Sequence, residues 1–192
     1  MSVTALCDNS FAVAQATRLP LSAAFLQALH GAAARDDGAL AETLREAGYA
    51  AGQALFSQFA DWLTARGEAT PDRLSDAGFP ALFAEFLAAD GWGTLTIEQI
   101  GESVLSLSSP DWIEAPVHLV PAPLQPSCHV TTGLWAGFLG RVADAPLAAL
   151  EVECRASGAP LCRWLIASPD VLGSVYNAME GGTDWDRAAA SA

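Results

Sequence analysis

The chain has 192 residues, of which 52% are hydrophobic, and a net charge of -13 from 9 basic and 22 acidic side chains. That length suits one domain with a substantial core, and the acidic balance, with no basic run to offset it, argues against direct binding to a nucleic-acid backbone. No apolar stretch is long enough to span a membrane, and the opening MSVTALCDNS lacks the charged and apolar regions of a signal peptide, so the expectation is a cytoplasmic protein.

From Pro20 to Asp90 the apolar residues recur at helical spacing: Phe25, Leu26 and Leu29, then Leu40, Leu44, Leu55, Phe59 and Leu63, then Leu82, Phe83, Phe86 and Leu87. The first half is therefore predicted to be helical. After Gly91 the segments TLTIEQI (94–100) and SVLSLSS (103–109) alternate and are joined by a Gly-Glu step, which predicts an antiparallel hairpin. Prolines 116, 121, 123 and 126 make the stretch from Asp111 to Ser127 a loop with extended character. CHVTTGLWAGFLGRVAD restores helical periodicity, with Leu134, Trp135, Phe138, Leu139 and Val142 on one face. Each of its glycines 133, 137 and 140 costs roughly 1 kcal/mol of helix propensity relative to alanine, so close packing on a neighbour is expected to compensate. A second hairpin, 147–155 with 161–167, and a short helix near 170–179 follow, and GGTDWDRAAASA is expected to be a flexible tail. The fold class predicted is α+β: a helical N-terminal half packed on a four-stranded antiparallel sheet of two hairpins, with a helix inserted between them.

If the loop ASGAP centres on Gly158, Cys154 and Cys162 face each other across the second hairpin, with Cβ atoms about 4.5–5.5 Å apart. Two readings follow, a cross-strand disulfide or half of a metal site. Zinc takes four ligands in a tetrahedron, and further candidates are near: Glu151 on the same strand, and Cys128 at a helix start, where a thiolate is favoured. An i, i+3 pair such as Glu151 and Cys154 falls on opposite faces of an ideal strand, so a shared site requires a bulge or a strand end near Cys154. Buried inert cysteines remain the alternative.

The pattern Cys128-x22-Glu151-x2-Cys154-x7-Cys162, together with CHVTTGLWAGFLG and the Glu-Cys-hairpin-Cys unit, resembles the 4-vinyl-reductase domain family. That domain is similar to the sensory module of phenol- and xylene-responsive transcription activators. It is more distantly similar to vesicle-tethering TRAPP subunits and haem-based nitric-oxide sensors. The resemblance spans residues 15–180 as one ligand-binding domain and leaves 181–192 as the tail; its specific motifs lie in the last third. It implies a TRAPP-like ligand-binding fold with zinc held by Cys128, Glu151, Cys154 and Cys162. Four protein ligands leave no open position, so such a zinc is structural. Three thiolates and a carboxylate leave the site at minus two, which calls for nearby donors such as backbone N–H groups.

Among the remaining residues, His129 adjoins a proposed ligand and could donate to the site or substitute for a ligand, though a helix-start surface histidine is the favoured reading; His118 could contact a ligand, though an exposed loop residue is favoured; and His30 reads as part of a helix C-terminal turn. Cys7 lies outside the ligand spacing. An approximate alignment puts pocket positions near Phe79, Leu107 and Thr132, which are apolar or small, and Phe83, Trp92, Trp112 and Trp135 are the other candidates for a pocket wall. A phenol anchor is not matched, so a larger or more apolar ligand is expected. No nucleophile elbow, phosphate loop or dinucleotide-binding glycine pattern occurs, and three histidines far apart give only weak support for acid/base catalysis, so the reading leans against an enzyme without settling it. The function expected is a zinc-stabilised domain that binds a hydrophobic or aromatic small molecule as a sensor or carrier. The alternatives are a bacteriochlorophyll-biosynthesis accessory protein that binds a tetrapyrrole, and a dimerisation or tethering module without a ligand; a homodimer is expected in each case.

Overall fold

The computed structural model describes residues 23–33, 38–75, 78–115 and 122–192. Cys7 and His118 lie outside these residues, and so does the side chain of His30. Helices α1 (Ala23–Ala33), α2 (Ala39–Ala65) and α3 (Gly78–Ala89) fill the first half, as the helical spacing predicts. Strands β1 (Thr96–Ile100) and β2 (Val104–Ser109) form the first hairpin, and β3 (Ala148–Glu153) and β4 (Cys162–Ala167) form the second. Helix α4 (His129–Ala143) joins the two hairpins, and α5 (Pro169–Glu180) and α6 (Trp185–Ala190) close the chain.

The sheet is antiparallel throughout, in the order β1-β2-β4-β3, so the inner strands β2 and β4 come from different hairpins. Strand alternation divides its two faces. Leu107, Trp164 and Ile166 point toward α2, α3 and α4 and join Phe59, Phe83, Trp135 and Phe138 in the larger core. Val104 and Leu165 point the other way and pack with Leu172 and Val175 of α5 and Ala188 and Ala189 of α6. The sheet is thus covered by helices on both faces.

Residues 181–192 depart from the expected flexible tail. Trp185, Ala188 and Ala189 sit at i, i+3 and i+4, the spacing of one helical face, and that face carries α6 onto the second core cluster. Arg163 of β4 stacks over the Trp185 ring at 4.7 Å and also bonds Glu153 at 2.6 Å and Ser106 at 3.1 Å, which ties α6 to the sheet.

Helices α2 and α4 meet backbone to backbone. A Cβ on Gly48 or Gly52 of α2 would lie 2.0 Å from the Val130 carbonyl oxygen or 2.2 Å from that of Leu134. Reciprocally, a Cβ on Gly133 or Gly137 of α4 would lie 1.9 Å from the Arg45 oxygen or 2.2 Å from the Tyr49 oxygen. Gly133 and Gly137 therefore have the packing role that their propensity cost demands, whereas Gly140 faces Ala145 of its own loop. This contact fixes α4 against α2 and sets where the start of α4 meets the second hairpin.

Candidate metal centre

Cys128 is the residue before the first turn of α4, Glu151 lies on β3, Cys154 follows the end of β3 and Cys162 opens β4. The parity obstacle is removed by a bulge. Glu151 pairs with Trp164 but Glu153 pairs with Arg163, so Val152 is an extra residue and Cys154 returns to the face that carries Glu151. That face looks toward α4. One ligand atom from each of Cys128, Glu151, Cys154 and Cys162 then falls within 4.8 Å of all the others, a group that could hold a metal ion.

The three sulfurs are free thiols. Cys128 Sγ is 3.7 Å from Cys154 Sγ and 3.9 Å from Cys162 Sγ, far beyond the roughly 2.05 Å of a disulfide. Separations near 3.8 Å are those of thiolates arranged around a common centre at about 2.3 Å. Glu151 Oε2 accepts the Cys128 backbone N–H at 2.7 Å, while Oε1 is buried and has no hydrogen-bond partner. A buried carboxylate oxygen without a donor is costly, and a cation among the sulfurs would satisfy it. The donor set and the orphaned oxygen both fit a thiophilic divalent metal.

The electrostatics agree with that reading. Burial raises the Cys128 thiol well above its ordinary range and pushes Glu151 up to about 10. Contacts from the Cys128 and Cys162 thiols lower Cys154 far below the usual thiol value. At Cys162 the contact from Cys128 lowers the value, but the Cys154 sulfur and burial outweigh it and the net shift is upward. The shifts thus run upward at Cys128, Glu151 and Cys162 and downward at Cys154, as expected of anionic groups crowded together in a buried site. Outer donors are present: Arg155 N–H points to Cys162 Sγ at 3.5 Å, and Ser127 Oγ lies 3.9 Å from Cys154 Sγ.

One residue that holds this site has no motif. Glu114, buried in the loop after β2, accepts N–H bonds from Val130 at 2.9 Å and Thr131 at 2.7 Å, and it also accepts the Thr131 hydroxyl. It caps the first turn of α4, as Glu151 does at Cys128. Trp112 Nε1 donates to Thr131 Oγ1 at 2.7 Å and extends the same network. His129 Nδ1 accepts from the Arg45 guanidinium at 3.2 Å, outside the cluster.

The residues expected to wall a pocket do not share one cavity. Phe79 and Leu107 line a cleft of about 530 Å³ at the C-terminal end of α4. Thr132 lines a separate cleft of about 530 Å³ beside the metal cluster, with Arg45, His129, Glu151 and Tyr176. Phe83, Trp112 and Trp135 are buried, and Trp92 stacks on Trp112 with ring centroids 5.6 Å apart. Trp112 in turn packs on Trp135 at 5.1 Å and on Trp164 at 5.7 Å, so the indoles fill the space they were expected to surround.

No protein-family model matches the chain, and no curated protein matches it. Solved structures do. The phenol-responsive sensory domain of the transcription activator PoxR, crystallised with phenol, matches with a TM-score of 0.61 and 18% identity over 78% of this chain and 76% of that one. The chain has the fold of that sensory domain. Subunit 3 of the trafficking protein particle complex from Naegleria fowleri, covalently bound to palmitic acid, matches with a TM-score of 0.54 and 15% identity over 76% of this chain and 93% of that one. A vinyl-4-reductase family protein from Methanocaldococcus jannaschii gives a TM-score of 0.44 at 16% identity, over 74% of this chain and 76% of that one. The α+β sensory-domain fold, shared with the trafficking subunit, is thereby established as the architecture that carries the cluster. No helix among the described residues is long and apolar enough to cross a membrane.

Proposed function

We propose that the protein is a zinc-stabilised binding domain for an apolar small molecule, acting as a sensor or carrier. The observation that carries this reading is the convergence of Cys128, Glu151, Cys154 and Cys162, with Glu151 Oε1 buried and unpartnered. Three sulfurs and one carboxylate suit Zn(II), and four protein ligands leave no position for a reacting water, so the metal is structural. It joins the start of α4 to the tip of the second hairpin. The ligand-binding part of the reading is supported by the fold, by the phenol held by the PoxR domain and by the apolar cleft that contains Phe79 and Leu107.

Native mass spectrometry of protein purified without added metal tests both parts, when it is repeated under denaturing conditions. One zinc per chain and an additional organic mass are expected. A coloured adduct of tetrapyrrole size would name a different ligand class. Zinc-free protein, lighter by the two hydrogens of a disulfide, would overturn the metal reading.

A further inference from the structure

The four residues of the cluster are not equally shielded. Cys128, Cys154 and Cys162 are buried, whereas Glu151 is half-buried. Of the two clefts, only the one beside the cluster has any of the four in its lining, and the one it has is Glu151. That cleft follows an open edge of the sheet. β3 pairs with β4 on one side, no strand among the described residues pairs with its other edge, and residues 149–152 all line the cleft. Ala149 and Glu151 point to the α4 side and Leu150 to the α5 side, so the cleft lies between the two helical layers. Arg45, His129 and Thr132 line it from the first layer, Tyr176 and Met179 from the second. Glu151 Oε2 accepts the Cys128 N–H at 2.7 Å, and Thr132, one turn further along α4, donates its hydroxyl to the Cys128 carbonyl at 2.8 Å. The carboxylate is thus held where the cleft meets the first turn of α4.

We propose that this cleft is the exchange port of the metal centre: a small polydentate chelator enters it, takes the place of Glu151 on the metal and carries the ion in or out, the sulfurs yielding after the carboxylate. The proposal rests on the metal reading above. Three buried sulfurs enclose the centre on the side of the core, which leaves the carboxylate between the ion and the cleft. For a thiophilic metal the hard carboxylate oxygen is also the weakest of the four donors. Its bond from the Cys128 N–H keeps Glu151 in position once it has let go of the ion. The step is a ligand substitution: the bond from the metal to the Glu151 oxygen breaks as one to a lone pair of the incoming donor forms, and no electron changes hands. A volume of about 530 Å³ admits a small molecule and excludes a folded protein, so the carrier is a small chelator.

The test uses the full chain loaded with cobalt(II), whose thiolate charge-transfer band reports bound metal, and one chelator in two forms: free EDTA, and EDTA coupled to dextran, which is too large to enter the cleft. If the chain carries no metal as purified and takes up no cobalt, the metal reading itself falls and the port with it. Free EDTA should strip the cobalt at a rate proportional to its concentration, and the dextran form should act no faster than spontaneous dissociation. Tyr176→Ala removes an exposed ring from the cleft wall and should raise the rate with free EDTA. Gln125→Trp, at an exposed lining position, narrows the cleft and should lower that rate, and the cobalt spectrum should be unchanged in both variants. A rate that does not depend on EDTA concentration, that is the same for the two forms of the chelator, or that neither substitution moves overturns the exchange port and leaves the metal centre standing.

Discussion

Alanine at Gly133 and alanine at Gly173 are predicted to shift stability in opposite directions. At Gly133 the added Cβ would lie 1.9 Å from the Arg45 carbonyl oxygen and 2.8 Å from both the Arg45 carbonyl carbon and the Tyr49 nitrogen. An ordinary carbon to carbonyl-oxygen contact is about 3.3–3.6 Å, so the helices must separate by roughly 1.5 Å, and backbone atoms cannot rotate aside as a side chain would. Overpacking of this kind costs up to about 3 kcal/mol or more, against a propensity gain of about 1 kcal/mol, which leaves a net loss of about 2 kcal/mol. For a chain of this length that lowers the melting temperature by about 4–8 °C. At Gly173, an exposed position in α5, nothing lies within 4 Å of the added Cβ, so only the propensity gain operates. That variant should melt about 2–4 °C higher. Thermal unfolding followed by circular dichroism reads both. If Gly133→Ala melts at or above the parent temperature, the backbone contact between α2 and α4 is not what fixes this interface.

Cys154→Ser should abolish metal retention and lower the melting temperature; unchanged zinc content by atomic emission, together with unchanged melting, would remove the metal centre. Metal uptake should release protons: Cys128 and Cys162 are raised and Glu151 sits near 10, so each gives up a proton on ligation, which makes three per ion near neutral pH. Calorimetry in buffers of different ionisation enthalpy measures that release, and an affinity that does not vary between about pH 6 and 8 would contradict it. In the metal-free chain the signs oppose. Glu151, raised from 4.5, makes stability fall as pH climbs between its unfolded and folded values. Cys154, lowered from 9.0, makes stability rise as pH climbs toward its unfolded value. The cluster should therefore add little net pH dependence between about pH 5 and 9 until metal is bound. Glu114→Ala leaves the Val130 and Thr131 N–H groups without their acceptor and should cost about 2–3 kcal/mol in urea unfolding, while Glu114→Gln, which keeps one oxygen, should cost less.

The parts of this structure that follow from local pattern are the parts the sequence makes legible. Leu55, Phe59 and Leu63 recur at one-turn spacing and form the buried stripe of α2. The conflict between strand parity and the Glu151 to Cys154 spacing requires a bulge or strand end, and the register places a bulge at Val152. Glu114 could not be found in this way. It reaches α4 across a proline-rich loop, and no spacing rule links a loop carboxylate to a helix start that only tertiary folding brings near it. The α6 face was present in the sequence as Trp185, Ala188 and Ala189, but small residues among polar neighbours give a weak periodic signal. The position of the clefts depends on whether large side chains fill or line the interior. Trp112, Trp135 and Trp164 fill it, a matter of packing volume that composition does not contain.

The position of the cluster follows from what α4 lacks at its start. Further along, Gly133 and Gly137 lock the helix to α2, and Trp135 and Phe138 are buried in the aromatic core, so that part is held by packing alone. At the first turn the backbone N–H groups have no intrahelical acceptors, and Cys128 offers no side-chain cap. Two carboxylates from outside the helix take over. Glu114 serves Val130 and Thr131, and Glu151 serves Cys128 through Oε2. The second arrangement is stable only if the other oxygen of Glu151 also finds a positive partner, because burial otherwise forces a proton onto it and weakens the acceptor that the helix needs. A metal shared with the three sulfurs would keep Glu151 ionised, and would thereby complete the cap of α4 while closing the hairpin tip. Under the proposed metal reading, helix capping and metal ligation would be, at this carboxylate, one interaction read from its two oxygens.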